Sequence, residues 1–171
     1  GFFRGWLDKL LTLLINVLLP IPGLPLTIVL AAYLPAGPVT IALVLTAMGW
    51  AFNARVLRSQ AMTLRQRPFI EAARLSGDTP LAIVFFHLVP NMASLIGTSF
   101  IGATTYAIGA AAALEFLGLG DPALVTWGTN LFWATNDQAL LTGAWWTFLP
   151  TGIGLALLTF GLVLMTFALD E

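Results

Sequence analysis

Apolar residues run without interruption over most of the chain. Three stretches contain no Asp, Glu, Lys or Arg: Leu10 to Ala54, Thr79 to Leu114, and Gln138 to Leu169. A helix needs about 20 apolar residues to cross a bilayer, so the first stretch is long enough for two crossings and each of the others for one. Membrane β-strands alternate in polarity, and these runs do not. The pattern therefore predicts an all-α, polytopic membrane protein with about four transmembrane helices.

Breaks in the apolar runs set the bounds of the predicted crossings, which are about Leu10–Leu34, Pro38–Val56, Asn91–Leu114 and Trp145–Phe167. The first crossing contains several helix-breaking residues: Pro20, Pro22, Gly23 and Pro25. Because proline removes a backbone donor, this crossing is predicted either to be kinked inside a helix bundle or to line a pathway. The third crossing is dense in glycine and alanine, which let membrane helices approach closely. We expect it to pack in the bundle core or against a partner.

Basic residues are confined to two windows, and the seven of them are Arg4, Lys9, Arg55, Arg58, Arg65, Arg67 and Arg74. Basic segments beside membrane spans favour the cytoplasmic side. We therefore predict that both ends of the chain and residues 57–91 are cytoplasmic, whereas residues 35–38 and 115–143 face outward. The outward segment, 115–143, is rich in turn formers and aromatic residues, and we expect it to pack back onto the helices.

Composition narrows the classes of function. Hydrophobic residues make up 58% of the 171 and charged residues 9%, with a mean hydropathy of +0.92, whereas soluble domains contain about 25% charged residues. The predicted partner is the lipid bilayer, with no nucleic acid. The single lysine, Lys9, does not follow a glycine, so the sequence contains no phosphate-binding loop for ATP. His87 has no cysteine or second histidine beside it to hold a metal, and no catalytic, cofactor or metal site is predicted.

Residues 57–91 contain the signals of a first short helix and its end. Pro68 suits the first turn of a helix, and Glu71 follows where the helix dipole favours a carboxylate. Gly77 can take the left-handed conformation that ends a helix. These three positions predict a helix that begins near residue 68 and stops at a glycine turn.

A second short helix is predicted directly after that turn. Thr79 followed by Pro80 is typical of a helix cap and first helical residue, and Pro90 would break the helix before the third crossing. The small side chains of Ala72 and Ala73 would let another protein approach one side of the resulting hairpin closely.

The hairpin sequence resembles a known coupling element through Glu71, Ala72, Ala73, Gly77, His87, Val89 and Pro90. The spacing is similar to the EAA loop of bacterial ABC importer permeases, although the family pattern has Ile and Leu where this chain has His87 and Val89. The element from His87 to Asn91 resembles the C-type permease subunits of the dipeptide, oligopeptide and nickel branch. That branch is also similar, in collinear order, at residues 1–8, 54–60, 116–120, 127–128 and 145–146. Glu115 departs from the family pattern, in which a small residue is common.

The resemblance implies the type I ABC importer permease fold, with residues 1–171 as one partial transmembrane permease domain that includes the cytoplasmic EAA loop, 57–91, and the external loop, 115–143. It implies that the residues coupled to the ATPase are Glu71, Ala72, Ala73, Arg74, Gly77 and Asp78. The implied partners are ABC ATPase subunits that bind the ATP, a second, non-identical permease subunit, and an extracytoplasmic solute-binding protein. The implied location is the cytoplasmic (inner) membrane of a bacterium or archaeon. Since such subunits have further crossings, we expect a fragment that lacks the amino-terminal part.

The resulting prediction is a transport subunit, not an enzyme, that translocates short peptides delivered by the binding protein. Oligosaccharides and nickel chelates stay open as substrates of the same importer class. A distant alternative is an intramembrane aspartyl protease, because Gly118, Gly120 and Asp121 match a Gly-x-Gly-Asp element. That chemistry needs two carboxylates in one site, and no second Asp or Glu lies in any predicted span. A channel or receptor scaffold would need no docking loop and would tolerate the loss of Gly77.

Overall fold

Helices form the regular structure of this chain. The computed structural model describes residues 2–3 and 5–170, and no strand occurs among them. Gly1 and Arg4, which belong to the motif at 1–8 and to the first basic window, lie outside the described residues, as does Glu171. The all-α prediction is confirmed for the part of the chain that the structure describes.

The first predicted crossing is broken into two helices. Helix α1 spans Trp6–Leu18 and helix α2 spans Gly23–Tyr33, with a bend of 90° between them. Proline accounts for the break, because Pro20 and Pro22 supply no backbone donor and Pro22 is extended, with ψ 105°, directly before α2. The single kinked helix predicted over Leu10–Leu34 is therefore replaced by a broken span or a re-entrant loop.

Helix α3 spans Pro38–Leu64 and is longer than the crossing predicted at Pro38–Val56. The difference lies at the cytoplasmic end predicted from charge, where the helix continues past its apolar run. Arg55 and Arg58 therefore stand on a regular helix, and the first residues of the predicted loop 57–91 belong to α3.

The predicted hairpin is present and consists of α4 at Pro68–Leu75, α5 at Pro80–Ala82, a π-helix at Ile83–Leu88 and a 3₁₀ turn at Pro90–Met92. The predicted order of helix, glycine turn and second helix is confirmed. No sequence pattern predicted that the second arm would be wound as a π-helix. In that arm the Val89 N–H donates to the Val84 carbonyl at 2.9 Å, a bond that spans five residues.

The second half of the chain contains α6 at Ala93–Phe116, α7 at Trp127–Asn136, α8 at Ala139–Thr142, a 3₁₀ turn at Trp145–Thr147 and α9 at Leu149–Asp170. Helices α6 and α9 pack antiparallel. The Ser94 hydroxyl donates to the Leu169 carbonyl at 2.6 Å, and Gly97 leaves room for the Leu169 side chain. Since α6 also contacts α3 and α7, this glycine-rich and alanine-rich helix lies among the other helices.

The buried core joins α3 to α6 through Ile41, Leu45, Ala110 and Leu114. Three of the described helices are long and apolar enough to cross a membrane: α3, α6 together with the 3₁₀ turn that precedes it, and α9 together with its own preceding turn. The count is four if the bent pair α1–α2 forms one span. The predicted number of about four crossings agrees with this range.

The predicted outward segment, 115–143, packs back onto α6 and α9, as expected. Thr126 and Thr129 form a reciprocal capping box that starts α7. The Asn130 side chain donates to the Thr151 hydroxyl of α9 at 2.7 Å. Gly128 lies so close to Glu115 and to the backbone of α6 that a Cβ would not fit there.

Candidate coupling hairpin

Helix α4 begins and is oriented as its sequence predicts. Arg67 is extended, with ψ 146°, and Pro68 takes the first helical position. An N–H group at this position would have no partner within the helix, so proline loses no hydrogen bond there. Glu71 lies in the first turn and Arg74 in the last. Both charges match the polarity of the helix dipole, so this short helix has favourable electrostatics at each end.

A tight turn at Gly77 ends α4. Gly77 has φ +88°, a left-handed conformation that glycine adopts without steric cost. The Gly77 N–H donates to the Arg74 carbonyl at 3.1 Å, and the Asp78 N–H donates to the Ala73 carbonyl at 3.1 Å. These bonds satisfy carbonyl groups that the end of a helix would otherwise leave unpaired.

A small apolar cluster holds the two arms of the hairpin together. Its members are Ile70, Ala73 and Ile83, all buried, and we call them the hairpin core. Ala73 therefore points into the hairpin, whereas Ala72 is exposed. The two alanines do not form one small face, because consecutive helical residues differ by about 100° around the axis.

The second arm is capped and tied to the turn by polar side chains. The Thr79 hydroxyl accepts a hydrogen bond from the Ala82 N–H at 3.3 Å, as its predicted capping role requires. Nε2 of His87 lies 3.1 Å from Oδ2 of Asp78, so this histidine pairs with the carboxylate that follows Gly77. The Asn91 side chain donates to the His87 carbonyl at 2.7 Å. His87 thus links the second arm to the turn between the two arms.

The outer face of α4 presents Glu71, Ala72 and Leu75 together. Leu75 lies four positions after Glu71 and three after Ala72, so it neighbours both on the helix surface, and all three residues are exposed. Leu75 is 85% exposed, so almost its whole apolar side chain is accessible to a partner. Leu75 was not among the residues predicted from the sequence. The signal that could have found it is its spacing from Glu71 and Ala72.

Two arginines in the second half of α3 hold α1 against that helix. Arg58 donates from Nε and Nη2 to the two carboxylate oxygens of Asp8, at 3.1 and 2.9 Å. Arg55 donates to the Asn16 side-chain oxygen at 2.8 Å. These contacts attach α1 to α3. Neither was predicted from the sequence, in which both arginines served only as markers of topology.

The acidic residues of the outward segment take part in turns and caps. The Asp121 carboxylate accepts from the Ala123 N–H at 2.9 Å, and Glu115 accepts from the Thr126 hydroxyl at 2.6 Å. Within the described residues, no group of three or more His, Cys, Asp or Glu side chains could hold a metal ion. Asp121 has the geometry of a turn residue.

Comparison with known proteins identifies the family. The model of the binding-protein-dependent transport system inner membrane component matches residues 1–171. The chain belongs to this family. The predicted recognition as a fragment of an ABC importer permease subunit of the dipeptide, oligopeptide and nickel branch is confirmed. By its description this family comprises inner membrane components of transport systems, and its membership together with the apolar helices supports a multi-pass inner membrane location.

Three curated relatives of this inner membrane component share about a third of its residues. The oligopeptide transport system permease protein OppC of Bacillus subtilis is 34% identical over 89% of this chain and 50% of its own length. The glutathione transport system permease protein GsiD of Pectobacterium atrosepticum is 31% identical over 82% of this chain and 47% of its own. The OppC protein of Mycobacterium bovis is 34% identical over 87% and 51%. The chain spans about half the length of these relatives.

Proposed function

We propose that this chain is part of the permease subunit of an ATP-driven importer that takes up short peptides. The observation that supports this most directly is the hairpin, whose α4 displays Glu71, Ala72 and Leu75 on one exposed face. A short, capped helix with an apolar tip is suited to insertion into a groove on another protein. Membership of a transport family makes an ATPase subunit the natural occupant of that role.

The proposed contact with the ATPase is made by Glu71, Ala72, Arg74, Gly77 and Asp78, to which we add Leu75. Ala73 contributes from inside, because its burial in the hairpin core fixes the position of the outer face. The ATP would be bound and hydrolysed entirely by the partner subunits. A second, non-identical permease subunit would complete the pathway, and a solute-binding protein would dock on the outward segment, 115–143. We place the complex in the cytoplasmic membrane of a bacterium or archaeon.

A peptide substrate agrees with the names of the relatives, since oligopeptides and glutathione are both short peptides. The spans add a second argument. No Asp, Glu, Lys or Arg occurs from Thr79 to Leu114 or from Gln138 to Leu169, and a charge within a span would mark an ion or proton route. The absence of these charges favours a water-lined pathway that leaves selection to the binding protein. Oligosaccharides and nickel chelates would fit such a pathway as well.

The test is growth of a strain that lacks the gene, supplied with di- to hexapeptides as the sole source of a required amino acid. We expect growth on peptides to be lost and to return when the full-length gene is restored. The matched control is growth of the same strain on cello- or xylo-oligosaccharides and under nickel limitation. Intact peptide uptake with lost sugar or nickel uptake would overturn the peptide assignment and leave the importer assignment standing. Intact uptake of all three would argue against both.

A further inference from the structure

Phe2 lies against the coupling hairpin although it is distant from the hairpin in sequence. The Phe2 ring centroid is 5.7 Å from Cζ of Arg65 and 5.8 Å from Cζ of Arg74. Guanidinium groups at about 6 Å or less from an aromatic centroid are attracted to the ring. The Phe2 side chain also packs on the hairpin core. One side chain thus connects the residue after α3, the last turn of α4 and the apolar cluster between the two arms.

The segment that contains Phe2 is fastened a second time, a short distance along the chain. Asp8, in the first turn of α1, receives the two hydrogen bonds from Arg58. A carboxylate and a guanidinium in this bidentate geometry form one of the stronger and more directional contacts available to side chains. The start of α1 is therefore tied to α3 by Asp8 and to the hairpin by Phe2.

We propose that Phe2 is a positioning residue that makes the hairpin and α1 move as one body, so that displacement of the hairpin reaches the bent pair α1–α2. The inference rests on the proposed function, in which an ATPase displaces the hairpin. Helix α1 precedes the 90° break, and a break of this kind is where a helix pair can change its angle with the least loss of backbone bonding. Without Phe2, α1 would stay attached to α3 through Asp8 and lose this attachment to the hairpin.

The first experiment measures the attachment itself in the full-length permease, purified in detergent without ATPase subunits. Hydrogen exchange of the α4 amides is compared among the parent, Phe2→Ala, Phe2→Trp and Phe160→Ala. Phe160, in α9, is the matched control, since it is the same residue type and its side chain is 61% exposed, whereas the Phe3 ring contacts the Phe2 ring. We expect Phe2→Ala to raise exchange in Pro68–Leu75 by about tenfold, and Phe2→Trp, which keeps the cation–π contacts, to stay near the parent rate. Unchanged exchange in Phe2→Ala would overturn the proposal.

The second experiment measures transmission in the assembled complex. We expect Phe2→Ala to leave basal ATP hydrolysis within about twofold of the parent and to reduce the stimulation by peptide-loaded binding protein by about fivefold or more, because the ATPase is intact and only its connection to α1 is weakened. Faster exchange in α4 combined with full stimulation would refute transmission through Phe2. If the parent complex shows no stimulation by peptide, the peptide function fails, while the exchange experiment still decides the attachment.

Discussion

At the scale of single residues, Gly77 determines the shape of the hairpin through its backbone. A Cβ built at Gly77 meets nothing within 4 Å, so the space around this residue is open. Only the positive φ of +88° opposes a side chain. The effect of substitution should therefore follow the tolerance of each residue type for left-handed conformations, and not its volume alone.

We expect Gly77→Val to abolish transport and substrate-stimulated ATP hydrolysis while the protein still inserts in the membrane. A left-handed conformation costs an ordinary residue about 1–2 kcal/mol, and a β-branched residue more. The matched variant is Gly77→Asn, which should retain activity, since asparagine tolerates this conformation. The measurement is uptake and ATP hydrolysis by the reconstituted complex, and normal uptake by the valine variant would contradict the assignment of the hairpin as the coupling element.

Leu75 allows a test of docking that is independent of folding. Leu75 is 85% exposed and Leu141, in the outward segment, is 83% exposed, so Ser at either position should change the free energy of unfolding by no more than about 0.5 kcal/mol. We expect Leu75→Ser to weaken binding of the ATPase subunit by about tenfold, as loss of an apolar anchor does. Leu141→Ser should bind as the parent does. Equal dissociation constants for the two variants would show that Leu75 does not contact the ATPase subunit.

At the scale of elements, the close contact between the outward segment and α6 depends on Gly128, which has no side chain. A Cβ added to Gly128 would collide with Glu115 and lie 2.7 Å from the Ala112 carbonyl oxygen. The Glu115 carboxylate could rotate away, but the Glu115 Cβ and the α6 backbone could not. Glu115, which departs from the family pattern, is therefore accommodated here because its neighbour across the contact is a glycine.

Gly128→Ala should accordingly destabilise the protein by about 1–3 kcal/mol, the usual cost of overpacking. The control is Gly161→Ala in α9, where the added Cβ meets nothing within 4 Å and alanine favours the helix. Thermal unfolding in detergent, followed by circular dichroism, should show a lower midpoint for the first variant only. Equal midpoints would mean that α7 can move away from α6 without loss of stability.

Local signals were sufficient to predict α3, α6 and α9, because the requirement for a span is a run of apolar residues of sufficient length. The same holds for α4 and its turn, which depend on Pro68 and Gly77. The 90° break was not predictable in the same way. Prolines indicate where a helix is interrupted, while the direction taken afterwards depends on the neighbouring helices.

The contacts of the candidate site were less accessible to sequence reasoning. Two contacts join residues that no local pattern relates to each other: the one between Phe2 and Arg74, and the one between Asp8 and Arg58. Whether Ala72 or Ala73 is the buried alanine depends on the side from which the second arm packs. Pairings of this kind are consequences of the tertiary fold, so the residue types were visible in the sequence and their partners were not.

At the scale of the whole molecule, the orientation in the membrane stays a prediction from charge. These 171 residues contain no cysteine, so this part of the protein adds no background to the labelling of introduced single cysteines. We expect Val125→Cys, at a fully exposed position, to react with a membrane-impermeant maleimide in intact spheroplasts. Gln66→Cys should react only after permeabilisation, because it lies among the basic residues that favour the cytoplasm. Labelling of both from the same side would reject the topology.

The π-helix at Ile83–Leu88 has a geometric consequence for how the hairpin is aimed. An α-helix turns about 100° with each residue, and a π-helical turn contains roughly one residue more than an α-helical one. If the same residues were wound as ordinary α-helix, each would turn further around the axis, and α4 would face a different direction relative to α6. The direction in which the exposed face of α4 points therefore depends on the number of residues per turn in the arm behind it.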